Sequence, residues 1–481
     1  MRNVKSLGLA LGFLVVGCTT DDVPGKPGSP GTKNDSGTDG GVCGEVTTAL
    51  AAKREACTFG PGAMPADTIG ACTGSAIPIE HVVILMQENR SFDSYFGHLP
   101  QYGQTDVDVP ASGTTNPAAS DAGVIGLDAA IPDAGAPIAW HHASAYCTED
   151  TNHGWEGSHQ EWNGGKNDGF AIANSTVKDP TGDRALGYYD QTDLPFYYQL
   201  ASTFAISDRY FCSLLGPTYP NRLYLAAGTS FGVVTTSITT LAPPGVANVY
   251  KELDAKGVTW KEYKTDLPTL LLFPDYASTT AAQAKVVDIT EFAKDAAAGT
   301  LPQVSFVDPG FGGTSMTESD EHPPADFQVG QHFVWEQITA AIKGPEWKST
   351  ALFLTYDEHG GFYDHVAPPT ACKSDDIPPA QSPQIGGFDQ LGFRVPITVV
   401  SPYARRHFVS HTVHSHTSVL RFIEAKFGLA AMTNRDANSD AMLDFFDFAS
   451  APDLTAPDLT EPPIDATKLA TCGTDFPAGA L

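Results

Sequence analysis

Four short runs of apolar residues recur along the chain, and each one ends abruptly in polar residues. They occupy residues 81–86, 304–307, 351–356 and 396–400. Each run has the length of a strand and is apolar almost throughout, which is typical of a strand buried on both faces of a parallel sheet. The pattern therefore predicts a central, mostly parallel sheet.

Helical patterns alternate with these runs. Apolar residues recur at intervals of three and four over residues 327–342, just before a Gly-Pro pair, and residues 417–427 form a second candidate helix. Alternating strands and helices predict an α/β fold in which helices sandwich the sheet. Ligands of such folds bind beyond the carboxyl ends of the strands.

The composition is that of a globular protein with a strong excess of acid. The 481 residues carry a formal net charge of −28 and are 42% hydrophobic. A chain this acidic repels the phosphates of nucleic acids, and we therefore expect no nucleic acid partner. A site for a phosphate group would need a local cation, which favours a bound metal over a basic pocket.

The N-terminus has the features of an export signal. Arg2 and Lys5 precede a short apolar stretch over residues 7–16, and Cys18 follows directly after Val-Val-Gly. This end resembles a bacterial lipobox. We expect residues 1–17 to be a signal peptide and Cys18 to carry the lipid that anchors the exported protein to the bacterial cell envelope. The alternative is an ordinary signal peptide with a chance cysteine.

Composition divides the rest of the chain. Residues 18–42 are rich in Gly, Pro and Ser and predict a flexible tether, and residues 43–76 form a cysteine-containing extension. The main domain is expected over residues 77–448, with a surface insertion at 103–138, and a proline-rich tail follows over 449–481.

Eight cysteines bear on the fold and on the lipobox. If Cys18 is set aside, seven cysteines remain. Because seven is odd, at least one of them is free or pairs with a cysteine of another chain, unless the lipobox interpretation is wrong. Cys43, Cys57 and Cys72 crowd the extension, where one local disulfide is plausible. The absence of a CxxC pair argues against a cysteine zinc site.

Two acidic pairs follow predicted strands directly. Glu88-Asn89 comes after the first run and Asp357-Glu358 after the third. Both can meet at one edge of the sheet, where three carboxylates would repel one another unless a cation neutralised them. Carboxylate and amide oxygens suit a divalent metal. The alternative is two unrelated acidic pairs that cap helices.

A loop with two prolines contains a candidate nucleophile. Pro217 and Pro220 restrict the backbone on either side of Thr218, and Arg222 follows closely. A hydroxyl nucleophile needs a fixed backbone and an activator such as a metal. Arg222 could bind phosphate oxygens or pair with a carboxylate. A plain turn is the alternative, because these residue types dominate turns.

Histidines are clustered, at residues 153–159, 322, 359–365 and 411–416. A leaving alkoxide needs a general acid, and histidine has a suitable pKa. A lone histidine is usually structural, so the clusters alone assign no role to any one of them. No HExxH zinc motif is present.

Several of these blocks together resemble the bacterial phosphoesterase family. That family includes phosphatidylcholine-type phospholipases C, plant non-specific phospholipases C and a bacterial acid phosphatase. The likeness covers roughly residues 77–430. The similar blocks are Ile79–Gly97 with Gln87-Glu88-Asn89-Arg90, Asp208–Arg222 with Gly216-Pro217-Thr218, Leu354–His365 with Asp357-Glu358-His359-Gly360, Arg394–Pro402 and His416–Ser418.

The resemblance implies an alkaline-phosphatase-like α/β fold and a metal site. One divalent ion, with Ca, Zn, Mg and Mn all open, would be held by Glu88, Asn89, Asp357 and Glu358, and also by Thr218, which attacks phosphorus.

The resemblance also implies roles for residues around the phosphate. His322 and His153 are the expected catalytic histidines, beside Arg222: one of the two, which one being open, protonates the leaving alcohol and could then act as the base. The expected activity is phospholipase C action on phospholipids through a phosphothreonine intermediate. An acid phosphatase acting on small phosphate esters and a non-catalytic surface lipoprotein are the alternatives.

Overall fold

The computed structural model describes residue 43 and residues 48–118, 135–239, 241–382 and 384–477. The predicted signal peptide, lipobox and tether lie outside the described residues, as does part of the predicted insertion. The described residues belong to one compact unit.

An eight-stranded sheet forms the centre of the molecule, in the spatial order β8-β2-β7-β6-β1-β5-β3-β4. Its strands are β1 (His81–Gln87), β2 (Ala205–Ser207), β3 (Trp260–Lys264), β4 (Val286–Asp288), β5 (Val304–Asp308), β6 (Thr350–Tyr356), β7 (Ile397–Val400) and β8 (Phe408–Ser410). All neighbouring pairs are parallel except those that involve β7. The prediction of a mostly parallel sheet is confirmed.

The direction of β7 follows from the path of the loop before it. This loop leaves β6 at its carboxyl end and returns through Arg394, which pairs with Asp364 and Asp93 beside the same sheet edge. Because β7 starts at that edge, it runs back against its neighbours. The apolar pattern of residues 396–400 predicted the strand but not its direction.

The register of the two central strands positions the acidic pairs. Gln87 at the end of β1 lies opposite Tyr356 at the end of β6. Every residue of β6 is buried, as is every residue of β1 after His81. Glu88 and Asp357 therefore leave the sheet side by side, from strands that packing on both faces holds in place.

Helices cover the sheet and carry several site residues. Those of at least eight residues are α1 (Thr48–Glu55), α2 (Trp155–Trp162), α3 (Pro195–Thr203), α4 (Thr218–Ala227), α5 (Val249–Lys256), α6 (Thr290–Ala298), α7 (Phe327–Lys343), α8 (His416–Phe427) and α9 (Ala466–Asp475). The two predicted helices are α7 and α8. Asp326 caps α7 by accepting a hydrogen bond from the backbone of Gln328. No helix of the described ranges is long and apolar enough to cross a membrane.

Three disulfides link segments of the described part of the chain. Cys43–Cys72 is a local bridge of the kind expected in the extension. Cys57–Cys372 and Cys147–Cys472 instead join segments 315 and 325 residues apart. Of the described cysteines, Cys212 alone is unpaired, and it is buried. Cys472 lies in α9, a helix that the proline-rich composition of the tail did not predict.

Candidate active site

The two acidic pairs meet at the carboxyl edge of the sheet. Glu88, Asn89, Asp357 and Glu358 are all buried there. The carboxylate of Asp357 accepts hydrogen bonds from the backbone N–H groups of Asn89 at 3.3 Å and of Glu358 at 2.7 Å. Asn89 has a φ of 62°, a left-handed conformation that asparagine tolerates better than most residues. The backbone thus turns sharply just where the side chains converge.

Three oxygen atoms of this group are buried without a hydrogen-bond partner among the described residues. They are Oδ1 of Asn89, Oδ2 of Asp357 and Oε1 of Glu358. A buried polar atom left unpaired costs about 1–3 kcal/mol, and the ion pair of Asp357 Oδ2 with Arg222 at 3.4 Å compensates only one of the three, so the group requires an explanation. One divalent cation would satisfy all three, and carboxylate and amide oxygens are ligands that hard divalent cations accept. The residues present therefore fit a metal site.

Burial makes the same carboxyl groups hard to ionise. Burial and the charge of Glu88 raise the pKa of Asp357 to about 7, although Arg222 opposes them. Burial also raises the pKa of Glu88, and it raises that of Glu358 well above its ordinary value. A bound cation would favour the ionised forms and so would be held most firmly at neutral or higher pH.

Arg222 reaches this acidic group from α4. Its guanidinium lies 3.2 Å from Glu88 Oε1, 3.4 Å from Asp357 Oδ2 and 3.8 Å from Asp308 Oδ1. Of the two roles considered for Arg222, the structure displays the ion pair with carboxylates. Arg222 compensates part of the negative charge and ties α4 to the ends of β1, β5 and β6.

Thr218 is the first residue of α4 and borders a cavity of about 520 Å³. Glu88, His153 and His322 line the same cavity. The structure thus gathers the predicted nucleophile, one predicted metal ligand and both predicted histidines around one space. The start of a helix also favours a negatively charged group.

Asn221 fixes the loop that presents Thr218, a role that sequence reasoning missed. Its Oδ1 accepts the backbone N–H groups of Ser213 at 2.8 Å and Leu214 at 3.2 Å. Its Nδ2 donates to the carbonyl oxygens of Gly216 at 2.9 Å and Pro217 at 3.1 Å. The side chain is fully buried. Four bonds from one amide explain how a loop without regular structure can hold a hydroxyl in place.

The two histidines lie close together, with ring centroids 5.4 Å apart. Nδ1 of His153 is 2.7 Å from the carbonyl oxygen of Thr151, and Nδ1 of His322 is 2.6 Å from that of Pro323. A carbonyl oxygen only accepts, so each Nδ1 donates its proton there. This arrangement leaves Nε2 of each ring for a substrate.

The surroundings of the two histidines shift their pKa values in opposite directions. Burial lowers the pKa of His322. Burial acts in the same sense on His153, but the carboxylates of Glu358 and Asp150 outweigh it and raise the pKa of His153 to about 9. The cavity therefore offers two imidazoles that differ in their hold on a proton.

Three further residues at the site are ones to which the sequence assigned no specific role. Asp320 and Glu318 line the cavity, and Asp320 accepts the backbone N–H of Glu88 with its carbonyl oxygen at 2.8 Å. His359 bridges two carboxylates, with Nε2 2.7 Å from Glu161 and Nδ1 3.3 Å from Glu358. The sequence offered one signal for Asp320 and His359, namely that each lies beside a predicted site residue: Asp320 is near His322, and His359 is next to Glu358.

Most of the remaining cavity lining is apolar. This apolar wall consists of Tyr219, Ile238, Leu241, Leu267, Leu271, Leu272 and Phe311, with Thr236 and Thr269 beside it. A polar floor beside an apolar wall suits a substrate that is polar at one end and apolar at the other.

At one edge of the sheet, oxygen atoms without hydrogen-bond partners in the described part of the chain lie near the start of α4, whose first residue carries a hydroxyl. Two imidazoles line the same cavity as this hydroxyl. Such a site defines a hydrolase that acts on phosphate esters.

The sequence comparisons agree with this class and specify it. A model of the phosphoesterase family matches residues 79–430, and the chain belongs to that family. The chain is 34% identical to a phospholipase C B of Mycobacterium tuberculosis, with 84% of each chain covered. It is 32% identical to a non-hemolytic phospholipase C of Burkholderia pseudomallei, over 74% of this chain and 56% of that protein. A non-specific phospholipase C6 of Arabidopsis thaliana is 28% identical, over 78% and 73%.

Solved structures show more distant likeness. A protein from Vibrio parahaemolyticus described as a member of the alkaline phosphatase superfamily has a TM-score of 0.31 and 9% identity, with 72% of this chain and 77% of that chain covered. The lipoteichoic acid synthase LtaP of Listeria monocytogenes has a TM-score of 0.35 and 9% identity, over 77% and 78%. The family assignment therefore rests on the sequence match.

Proposed function

We propose that the protein is a metal-dependent phospholipase C. One observation carries this proposal: the cavity lined by Glu88, Thr218 and both histidines also has an apolar wall. A small hydrophilic phosphate ester would not use that wall, whereas the glycerol and acyl portion of a phospholipid would. The names of the relatives support the same activity.

In the proposed reaction, Thr218 Oγ attacks phosphorus. The new Oγ–P bond forms as the P–O bond to the diacylglycerol breaks, and the head group stays on the phosphothreonine ester. Water then cleaves the Oγ–P bond and releases the phosphorylated head group. A divalent cation held by Glu88, Asn89, Asp357 and Glu358 would supply Lewis acidity and lower the pKa of a bound hydroxyl.

Protons move through the two histidines. Thr218 loses its hydroxyl proton as it attacks, and the leaving diacylglycerol alkoxide gains one. The water that follows loses a proton, and the threonine oxygen regains one as the phosphothreonine ester breaks. His153 and His322 each present Nε2 for these transfers, because Nδ1 is engaged by a carbonyl oxygen. Asn221 keeps the hydroxyl at the cavity, and Arg222 keeps the acidic ligands in place.

A substrate panel tests the activity. We expect hydrolysis of at least one of phosphatidylcholine, sphingomyelin and phosphatidylinositol, with a kcat/KM more than about tenfold above that for a chromogenic phosphomonoester, because the apolar wall contributes only with the lipid. Release of the phosphorylated head group should be measured by mass spectrometry, with Thr218→Ala as the blank. A preference for the phosphomonoester would contradict the proposal and identify an acid phosphatase.

We also propose that the mature protein is anchored through a lipid on Cys18. The support is the short apolar stretch that ends in Val-Val-Gly directly before this cysteine. Cys18→Ser should move the protein from the membrane fraction to the soluble fraction, measured by immunoblot after ultracentrifugation. Thr19→Ser is the matched control and should stay in the membrane fraction. Retention of Cys18→Ser on membranes would refute the anchor.

A further inference from the structure

Three large apolar side chains are exposed at the mouth of the catalytic cavity. Ile238 is 80% exposed, Leu267 55% and Leu271 46%. All three line the cavity that Thr218 borders, and they come from two separate segments of the chain. We call them the apolar lip. Large apolar side chains gathered at one functional opening mark an interaction surface, whereas singly scattered ones do not.

Further apolar residues line the same cavity as the lip. They are Leu241, Leu272, Phe311 and Tyr219, and Tyr219 is next to Thr218 in the chain. The Phe311 ring also packs against the guanidinium of Arg222, 4.8 Å from its centroid. Apolar side chains thus line the cavity both at its exposed lip and beside the catalytic residues.

The charges around the cavity define which surface fits. Four carboxyl groups line it, those of Glu88, Asp150, Glu318 and Asp320. Among the described residues that line it, Arg222 is the one lysine or arginine, and it is paired with Glu88 and Asp357. Glu88, Glu318 and Asp320 are buried in the floor, and Asp150 is exposed. The chain as a whole carries a net charge of −28, so it is repelled by an anionic lipid surface and suits one whose outermost groups are cationic, as on a zwitterionic bilayer.

We infer that the apolar lip inserts into the surface of a zwitterionic phospholipid bilayer and holds the cavity over it. This inference rests on the proposed function, since the bilayer would supply the substrate. As a lipid moves out of the bilayer toward Thr218, its acyl chains would lose contact with neighbouring lipids and would contact the apolar lip instead. The polar head group could then reach the floor of the cavity while the acyl chains stay shielded from water.

Binding without turnover gives the first test. The mature chain, residues 18–481, carrying Cys18→Ser and Thr218→Ala has neither the proposed anchor nor the proposed nucleophile, and it should sediment with phosphatidylcholine vesicles. Adding Leu267→Ser and Leu271→Ser should weaken this binding at least tenfold. Val177→Ser is the matched control, because Val177 is 89% exposed and lies outside the cavity lining. Replacing part of the phosphatidylcholine with phosphatidylserine should weaken binding of the parent.

Turnover gives the second test, on the chain that keeps Thr218. The double substitution should lower kcat/KM on vesicles at least tenfold more than on a water-soluble, short-chain phosphatidylcholine below its micelle concentration. Val177→Ser should change neither value. An equal loss on both substrates would overturn the lip as a membrane contact.

Other outcomes are equally decisive. Unchanged vesicle binding of the double variant, or tighter binding of the parent to phosphatidylserine vesicles, would overturn the inference. A change in oligomeric state on size-exclusion chromatography, without a change in vesicle binding, would make the lip a contact between copies of the chain and also overturn it. If the parent cleaves no phospholipid but vesicle binding still depends on the lip, the proposed phospholipase activity is wrong, whereas the inference that the lip contacts the membrane is supported.

Discussion

Thr218→Ala is expected to lower kcat on the best substrate by roughly three orders of magnitude or more, since loss of a covalent nucleophile leaves only binding and electrostatic stabilisation. Thr218 lies at the start of α4, and the four hydrogen bonds of Asn221 hold the preceding loop. The alanine variant should therefore keep the fold. Turnover, metal content by mass spectrometry and the melting temperature should be measured together.

The conservative variant separates chemistry from folding. Thr218→Ser keeps the oxygen and loses one methyl group, so it should retain measurable turnover and accumulate the same type of intermediate on the serine. Detection of a covalent phosphoryl adduct by mass spectrometry of the quenched enzyme would support the attack directly. If Thr218→Ala turns over near the parent rate with its fold and metal intact, a water activated in the site is the better mechanism.

Asp357→Asn is expected to abolish both metal binding and activity. The substitution removes the charge of a proposed metal ligand, whose Oδ2 has no hydrogen-bond partner among the described residues and lies 3.4 Å from Arg222. Changes in the residues that merely support a metal ligand cost about 10–100-fold in affinity, so loss of a ligand charge should cost more than about 100-fold. Metal analysis and kcat/KM on the best phospholipid measure the two effects.

Thermal unfolding offers a readout that does not depend on activity. Adding the metal should raise the melting temperature of the chelator-treated parent but not that of Asp357→Asn, because a ligand stabilises only the state that binds it. Asp308→Asn is the matched control. Asp308 is also buried near Arg222, but Thr269 donates to both of its carboxylate oxygens, from its hydroxyl at 2.8 Å and its backbone N–H at 3.0 Å. A loaded and active Asp357→Asn enzyme would place the metal elsewhere.

The sequence predicted those parts of the site in which a local pattern of apolar and polar residues also determines where the residues lie in the fold. Apolar runs that end in Glu88-Asn89 and Asp357-Glu358 mark the ends of buried strands, and parallel pairing brings such ends together. The edge of the sheet, the acidic group on it and the two helices α7 and α8 were therefore readable from residues 81–89, 350–358 and the helical spacings.

The parts that it did not predict depend on contacts between distant segments. Nothing near residue 397 says that β7 runs backward, because the path of the preceding loop decides it. The partner of Cys57 lies 315 residues away, so no spacing rule identifies it. Leu267 lies just before a short 3-10 helix, Thr269–Leu272, that contains Leu271, and this segment is too short to give a periodic signal. Only the cavity beside these two residues explains their exposure.

The three disulfides have a consequence for the exported protein that we propose. Together they span every position between residues 43 and 472, since the loops they close overlap along the chain. A single cut by an extracellular protease anywhere in that interval leaves two pieces that stay covalently attached. On a gel such a nick would show only after reduction. A molecule tethered by its N-terminus would keep its catalytic half at the surface even after the backbone had been broken.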